Sequence, residues 1–193
     1  NRLSSWEDWP HLWKEYGDIH LKLAEEAEKK GNRLTAGYAY RRASIYYHYG
    51  QFMLFDRPEL KRDMHNKCIE IFQSALRLLP FSGEKVYIPL ADKYIPAHIR
   101  LSKGDEGRIV IMIPGADATK EELSTFDEIF LERGISTITI DGPGQGETAT
   151  SIPYRKEYFD NTVNTVVKYI KDNLGHSKIG VGGISFGGYL GPR

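Results

Sequence analysis

The sequence is poor in cysteine, in surplus charge and in long apolar runs, and each shortage excludes something. Its 193 residues hold a single cysteine, Cys68. One cysteine cannot close an internal disulfide, so a reducing, cytoplasmic setting is expected. Cys68 falls within a helical pattern and reads as a buried packing residue. Basic and acidic residues number 26 each, a formal net charge of zero. No basic stripe interrupts that balance, which argues against nucleic acid as a partner. No apolar run is long enough to span a bilayer, so no membrane partner is expected either. The first residues, Asn1-Arg2-Leu3-Ser4-Ser5-Trp6, do not make a signal peptide; they also lack a methionine, which leaves a trimmed leader open. The apolar share of 40 % is that of a packed globular protein and excludes a disordered chain.

The pattern changes character near Pro80. Before it, three helices are expected, over 11–30, 34–54 and 58–79, with Leu12, Tyr16, Ile19, Leu23 and Ala27 at helical spacing on the first. Gly31 stops the first helix, and Pro58 suits the first turn of the third. Small residues and large aromatics on the second helix (Ala36, Ala39, Tyr40, Ala43, Tyr46, Tyr47, Tyr49) imply a tight bundle without a clean internal repeat. After Pro80 the pattern is strand-like. Strands are expected at 86–90 and 95–101, with Pro89 and Pro96 placing them near a sheet edge. Arg108 to Ile113 is a β-branched run typical of a strand buried on both faces. A helix follows, opened by Thr119-Lys120-Glu121-Glu122, which reads as a capping box. Then come a strand at 135–140, a glycine-rich loop at 141–147, a helix at 154–173 and a strand from Lys178. Strand, helix, strand, helix, strand is the order of a parallel sheet with crossover helices. The division expected is a helical domain at 1–80 and the first part of an α/β domain at 81–193.

The chemistry concentrates in Gly183-Ile184-Ser185-Phe186-Gly187. This G-x-S-x-G follows the short strand at 178–182, which makes it a nucleophile elbow rather than a chance match. The serine must sit on a turn so sharp that side chains two residues either side would collide with strand and helix, hence Gly183 and Gly187. Ser185 is the candidate nucleophile. The loop Ile113-Pro114-Gly115-Ala116-Asp117-Ala118-Thr119 lies between a buried strand and a helix, where a second oxyanion N–H is supplied. The backbone N–H groups of Ala116 and Phe186 are therefore the expected oxyanion donors. Asp117 has two readings that the sequence leaves open: support of the helix N-terminus, or a polar group inside the pocket. The loop Asp141-Gly142-Pro143-Gly144-Gln145-Gly146 is not a nucleotide cradle, because Pro143 interrupts it and no helix opens on its third glycine. It reads as a tight connection shaping the pocket floor. All six histidines precede Ser185. The order in such enzymes is serine, acid, histidine, so His11, His20, His48, His65, His98 and His176 read as surface or packing residues. The triad acid and histidine are expected beyond residue 193. Trp6, Trp9 and Trp13 serve either the helical core or an aromatic substrate pocket.

On these residues the chain resembles the α/β-hydrolases that carry an N-terminal helical domain, the group of 2,6-dihydroxypseudooxynicotine hydrolases, FrsA-type esterase-like proteins and fungal polyketide-shortening hydrolases. The segments that carry the resemblance are 114–122, Arg133-Gly134, 141–147 and 183–188. It implies a fold: an α/β-hydrolase sheet, truncated after the nucleophile elbow, preceded by the helical domain. It also implies Ser185 as nucleophile, an acidic residue of the oxyanion loop (here Asp117) facing the substrate, and cleavage of esters or of carbon–carbon bonds beside a ketone without cofactor or metal. A homodimer is implied, with the helical domain covering the site, and a small carbonyl or ester substrate, aromatic in some relatives. Two functions stay open. One is a serine hydrolase, inactive as residues 1–193 alone; the other is a binding protein that kept the fold and lost the triad.

Overall fold

The computed structural model describes residues 3–191; Asn1 and Arg2, at the start of the stretch read as no signal peptide, lie outside the described residues, as do Pro192 and Arg193. The chain divides between Ser82 and Gly83 into two compact units. The first holds α1 (Asp8–Lys29), α2 (Arg33–Gly50) and α3 (Pro58–Leu78). Alanines on α1, α2 and α3 let the helices approach closely, and Tyr40, Tyr47, Leu54, Phe72, Leu76 and Leu79 fill the remaining core. Cys68 is buried there, its Sγ 3.2 Å from the Ser44 hydroxyl. The α2 helix ends at Gly50 rather than near 54. Its continuation tightens into turns in which the N–H of Phe52 donates to Tyr49 O and that of Leu54 to Gln51 O, three residues back instead of four. Trp9 packs between Trp6 and Trp13, with ring centres 5.8 and 5.3 Å away, and Trp13 lies 5.6 Å from Tyr46. These rings pack on one another within the helical unit.

The second unit contains β1 (Gly83–Leu90), β2 (Lys93–Arg100), β3 (Arg108–Ile113), α4 (Lys120–Leu131), β4 (Ser136–Ile140), α5 (Lys156–Tyr169), β5 (Lys178–Gly183) and α6 (Phe186–Leu190). A five-stranded mixed sheet runs in the order β1-β2-β4-β3-β5. The β3 strand pairs in parallel with β4 and with β5; β2 joins β4 antiparallel, and β1 joins β2 antiparallel. The alternation along each strand sets the two layers. Ile109, Ile111, Ile113, Ile138 and Ile140 share one core with Phe159 and Val166 of α5, while Val110 and Met112 pack with Leu123 of α4. One crossover helix thus covers each face. Beyond α5 the chain widens into a π-type turn at Ile170–Leu174 before β5.

One expectation is borne out and one is corrected here. The two proline-bearing strands lie near an edge: β1 is an edge strand of the described sheet, and β2 sits next to it, between β1 and β4. Its Pro96 is tolerated because the β2–β4 ladder begins one residue later, at Ala97. The capping box at Thr119 does not form. Thr119 is the N-cap, but its side chain makes no capping hydrogen bond. The Glu122 N–H donates to Thr119 O at 3.1 Å, and a carboxylate from the end of β4 takes another donor of the first turn: the N–H of Lys120 donates to Asp141 Oδ1 at 2.9 Å.

The face of the sheet under α4 is unexpectedly polar. His98 and Arg100 of β2, with Thr137 and Thr139 of β4, are all buried. Arg100, fully enclosed, donates to Ser124 O at 3.1 Å and Glu128 Oε1 at 3.5 Å on α4. Thr139 donates to Asp127 at 2.8 Å. Burial pushes the Asp127 carboxyl up to about 6, against the pull of Arg100 and the Thr139 hydrogen bond.

Candidate active site

Ser185 lies where β5 turns into α6, at φ 54° and ψ −120°. An L-residue rarely adopts this conformation, and holding one there marks a functional turn. The turn depends on its glycines. A Cβ on Gly183 would lie 2.2 Å from Gly187 C, and one on Gly187 would lie 2.1 Å from Ile113 O and 2.6 Å from Pro114 O. Strand, turn, helix and the end of β3 therefore touch backbone to backbone. The Ser185 side chain stands exposed at the end of β5.

The loop after β3 lies against this turn. The N–H of Ile184 donates to Ile113 O at 3.4 Å. A Cβ on Gly115 would come within 3.4 Å of Ser185 Cβ. Ala116 and Asp117, the next two residues, are exposed. The structure thus brings Ser185 and the Gly115–Ala116 loop together. Phe186 is half-buried, its ring 5.3 Å from Tyr154 and 5.7 Å from Tyr189. Asp117 stands exposed two residues before the N-cap of α4, whose first N–H is held by Asp141.

Gln145, missed as a site component, supports the loop from the buried side, and a buried charge cluster around Lys120 lies in the adjoining segments. Gln145 is buried, and its Nε2 donates to Pro114 O at 2.7 Å and Gly115 O at 2.8 Å. Its Oε1 accepts the Gly142 N–H at 3.0 Å. Lys120 is wholly enclosed, with Asp141 Oδ2 at 2.7 Å, Glu121 Oε1 at 2.8 Å and Glu147 Oε1 at 2.5 Å. Burial alone would discharge this ammonium, but Asp141, Glu121 and Glu147 hold its pKa well above the usual lysine value. Glu147 also accepts from Lys85 at 2.8 Å and from the Tyr87 hydroxyl at 3.1 Å. Burial raises the Glu147 carboxyl, yet Lys120 and Lys85 outweigh it and hold the group below its ordinary range. Nearby His98 is pushed down to about 3 by burial, Glu121 pulling the other way, so its 3.7 Å approach to Glu121 joins a neutral ring to a carboxylate. The glycine-rich loop of 141–147 was the sequence signal for this cluster. The buried lysine itself gave none.

Four of the six histidines are buried: His48, His65, His98 and His176. His176 Nε2 lies 2.7 Å from Asp105 Oδ2, which the Ser136 hydroxyl also approaches. This serine, aspartate and histidine do not form a relay, because serine and histidine share the carboxylate rather than each other. They also sit at the starts of β3, β4 and β5, at the opposite end of the parallel strands from Ser185.

A sheet with a helix on each face, a parallel β3–β4–β5 core and a strained serine elbow at a strand end define the α/β-hydrolase fold. Residues 5–193 match the family described as esterase FrsA-like, and the chain belongs to that family. It is 32 % identical over 182 residues to the 2,6-dihydropseudooxynicotine hydrolase of Paenarthrobacter nicotinovorans, which covers 93 % of this chain and 49 % of that protein. It is 29 % identical to the 20-hydroxy-prefusarin hydrolase of Gibberella moniliformis, over 97 % of this chain and 48 % of that one. The crystal structure of the 2,6-dihydroxy-pseudo-oxynicotine hydrolase superposes with a TM-score of 0.84 at 28 % identity, over 94 % of this chain and 52 % of that chain. The chain spans about half the length of the curated relatives it matches. Among the described residues, no helix is long and apolar enough to cross a membrane.

Proposed function

We propose that the full-length protein is a serine hydrolase acting through an acyl-enzyme on an ester or on a carbon–carbon bond beside a ketone. The observation that carries this reading is Ser185 held at φ 54° with Gly115 of the neighbouring loop packed against it. Ser185 Oγ adds to the substrate carbonyl, and the N–H groups of Ala116 and Phe186 hold the oxyanion. Collapse of the tetrahedral adduct expels an alcohol from an ester, or an enolate carbanion from a ketone. The carbanion must take up a proton, and exposed Asp117 of the same loop is the residue assigned to assist it. Water then adds to the acyl-enzyme and releases a carboxylic acid. The proton relay, an acid and a histidine, is assigned to sequence outside these 193 residues, in keeping with relatives twice as long. The names of these relatives, a 2,6-dihydropseudooxynicotine hydrolase and a 20-hydroxy-prefusarin hydrolase, favour a small-molecule substrate.

In this reading the helical unit is the cap and dimerisation unit, and the setting is cytoplasmic. With the relay assigned elsewhere, residues 1–193 alone are inactive; they also self-associate, because Val181 on β5 is exposed and the described sheet ends at that strand in an open parallel edge. The test is turnover of p-nitrophenyl butyrate and of an aryl β-diketone by the full-length protein, with products separated by chromatography. Acid plus ketone from the diketone establishes carbon–carbon cleavage. No turnover of either class would favour the binding-protein alternative.

A further inference from the structure

We propose that Gln145 is a positioning residue that aims the oxyanion N–H of Ala116. This rests on the hydrolase reading above and goes one layer below it. The Gly115–Ala116 peptide is trans, as are all the described peptide bonds. In a planar trans peptide the C=O and the N–H point in opposite directions. Gln145 Nε2 holds Gly115 O at 2.8 Å from the buried side of the loop. The Ala116 N–H of that same peptide is thereby turned away from the interior, towards the exposed side on which Ala116 and Ser185 both stand. The second hydrogen of Nε2 holds Pro114 O at 2.7 Å, so two consecutive carbonyls are pinned by one amide.

The amide itself has no freedom to turn over. Its Oε1 accepts from Gly142 N–H at 3.0 Å, which fixes which end of the carboxamide faces the loop. A Cβ at Gly142 would meet Gln145 Oε1 at 2.8 Å and Phe159 at 2.8 Å, so only glycine leaves room for this seat. Thr148 closes the ring from below, its hydroxyl donating to Gln145 O at 2.8 Å. Both Nε2 donors and the Oε1 acceptor are used, and all reach backbone. An oxyanion hole works because its donors need no reorientation when charge develops. Gln145 supplies that rigidity without touching the reacting atoms.

The test uses the full-length protein with p-nitrophenyl butyrate as substrate and an alkyl trifluoromethyl ketone as oxyanion mimic. Gln145→Met removes both donors at similar volume. The expected result is a kcat lower by about ten- to a hundredfold, KM within about twofold, and trifluoromethyl ketone affinity lost by the same factor as kcat/KM. Gln145→Glu supplies the second readout. Its carboxyl regains a donor only when protonated, so the ratio of variant to wild-type kcat rises as the pH is lowered. Gln145→Met with wild-type kcat, or a kcat loss that leaves ketone affinity intact, would overturn the positioning role. If Gln145→Met does not fold, a pH-independent ratio for Gln145→Glu overturns it. A wild type that neither turns over nor forms a Ser185 adduct brings down the hydrolase reading itself; an active wild type with an indifferent Gln145 brings down the positioning role alone.

Discussion

Replacing Ser185 by glycine should stabilise the protein while abolishing its chemistry. Ser185 holds φ 54° and ψ −120°, a conformation open to glycine and strained for any residue with a Cβ. Such strain costs of order 1–3 kcal/mol. Glycine gives part of this back through its freer unfolded state, roughly 0.5–1 kcal/mol. The reference must be Ser185→Ala, since both variants lose the same hydroxyl and differ only in the Cβ. Ser185→Gly is then expected to be about 1 kcal/mol more stable than Ser185→Ala. With an m-value near 2 kcal/mol/M, that is a rise of roughly 0.5 M in the urea midpoint. Equilibrium urea unfolding followed by tryptophan fluorescence and by circular dichroism reads it directly, on the full-length protein. Equal midpoints for the two variants, or a lower one for glycine, would refute the claim that the elbow stores strain.

Three further outcomes follow from the same geometry. Asp117→Asn should lower kcat tenfold or more, about 1.4 kcal/mol of barrier, and leave the melting temperature nearly unmoved, because Asp117 is exposed and Asp141 holds the first N–H of α4; wild-type kinetics would remove Asp117 from the site. Asp141→Asn removes one counter-charge from enclosed Lys120 and should cost about 3–5 kcal/mol in a urea titration. Glu147 has its folded pKa depressed below the ordinary value of 4.5, so its contribution to stability is present above that value and is lost as the pH falls below it; Glu147→Gln should flatten this acid limb of the stability-versus-pH curve.

The parts of the fold that follow from periodicity were legible. The β-branched run of β3 and the alternation in β4 needed no partner to be recognised, and the elbow glycines sit at offsets that sterics dictate. What stayed hidden depends on pairing across the chain. Pro89 and Pro96 placed their strands near an edge, but that Pro96 sits one strand inside it depends on where the β2–β4 ladder starts. Thr119 and Glu122 have capping-box spacing, but the Glu122 N–H donates to the backbone oxygen of Thr119, and Asp141, from the end of β4, holds the N–H of Lys120. Arg100 of β2 and Lys120 at the start of α4 are charged and would ordinarily be solvated, yet both are fully enclosed. Only the carboxylates folded against them make that tolerable. Gln145 looked like one more polar loop residue, because nothing local shows that its amide meets two carbonyls about 30 residues upstream.

The central claim is that Ser185 is a nucleophile, and the direct measurement is covalent capture. The full-length protein is treated with a fluorophosphonate, digested, and the adduct mapped by mass spectrometry, with Ser185→Ala alongside. The account predicts a single adduct on the peptide carrying Ser185 in the wild type and none in the variant. Equal labelling of the two proteins, or an adduct on another serine, would contradict it.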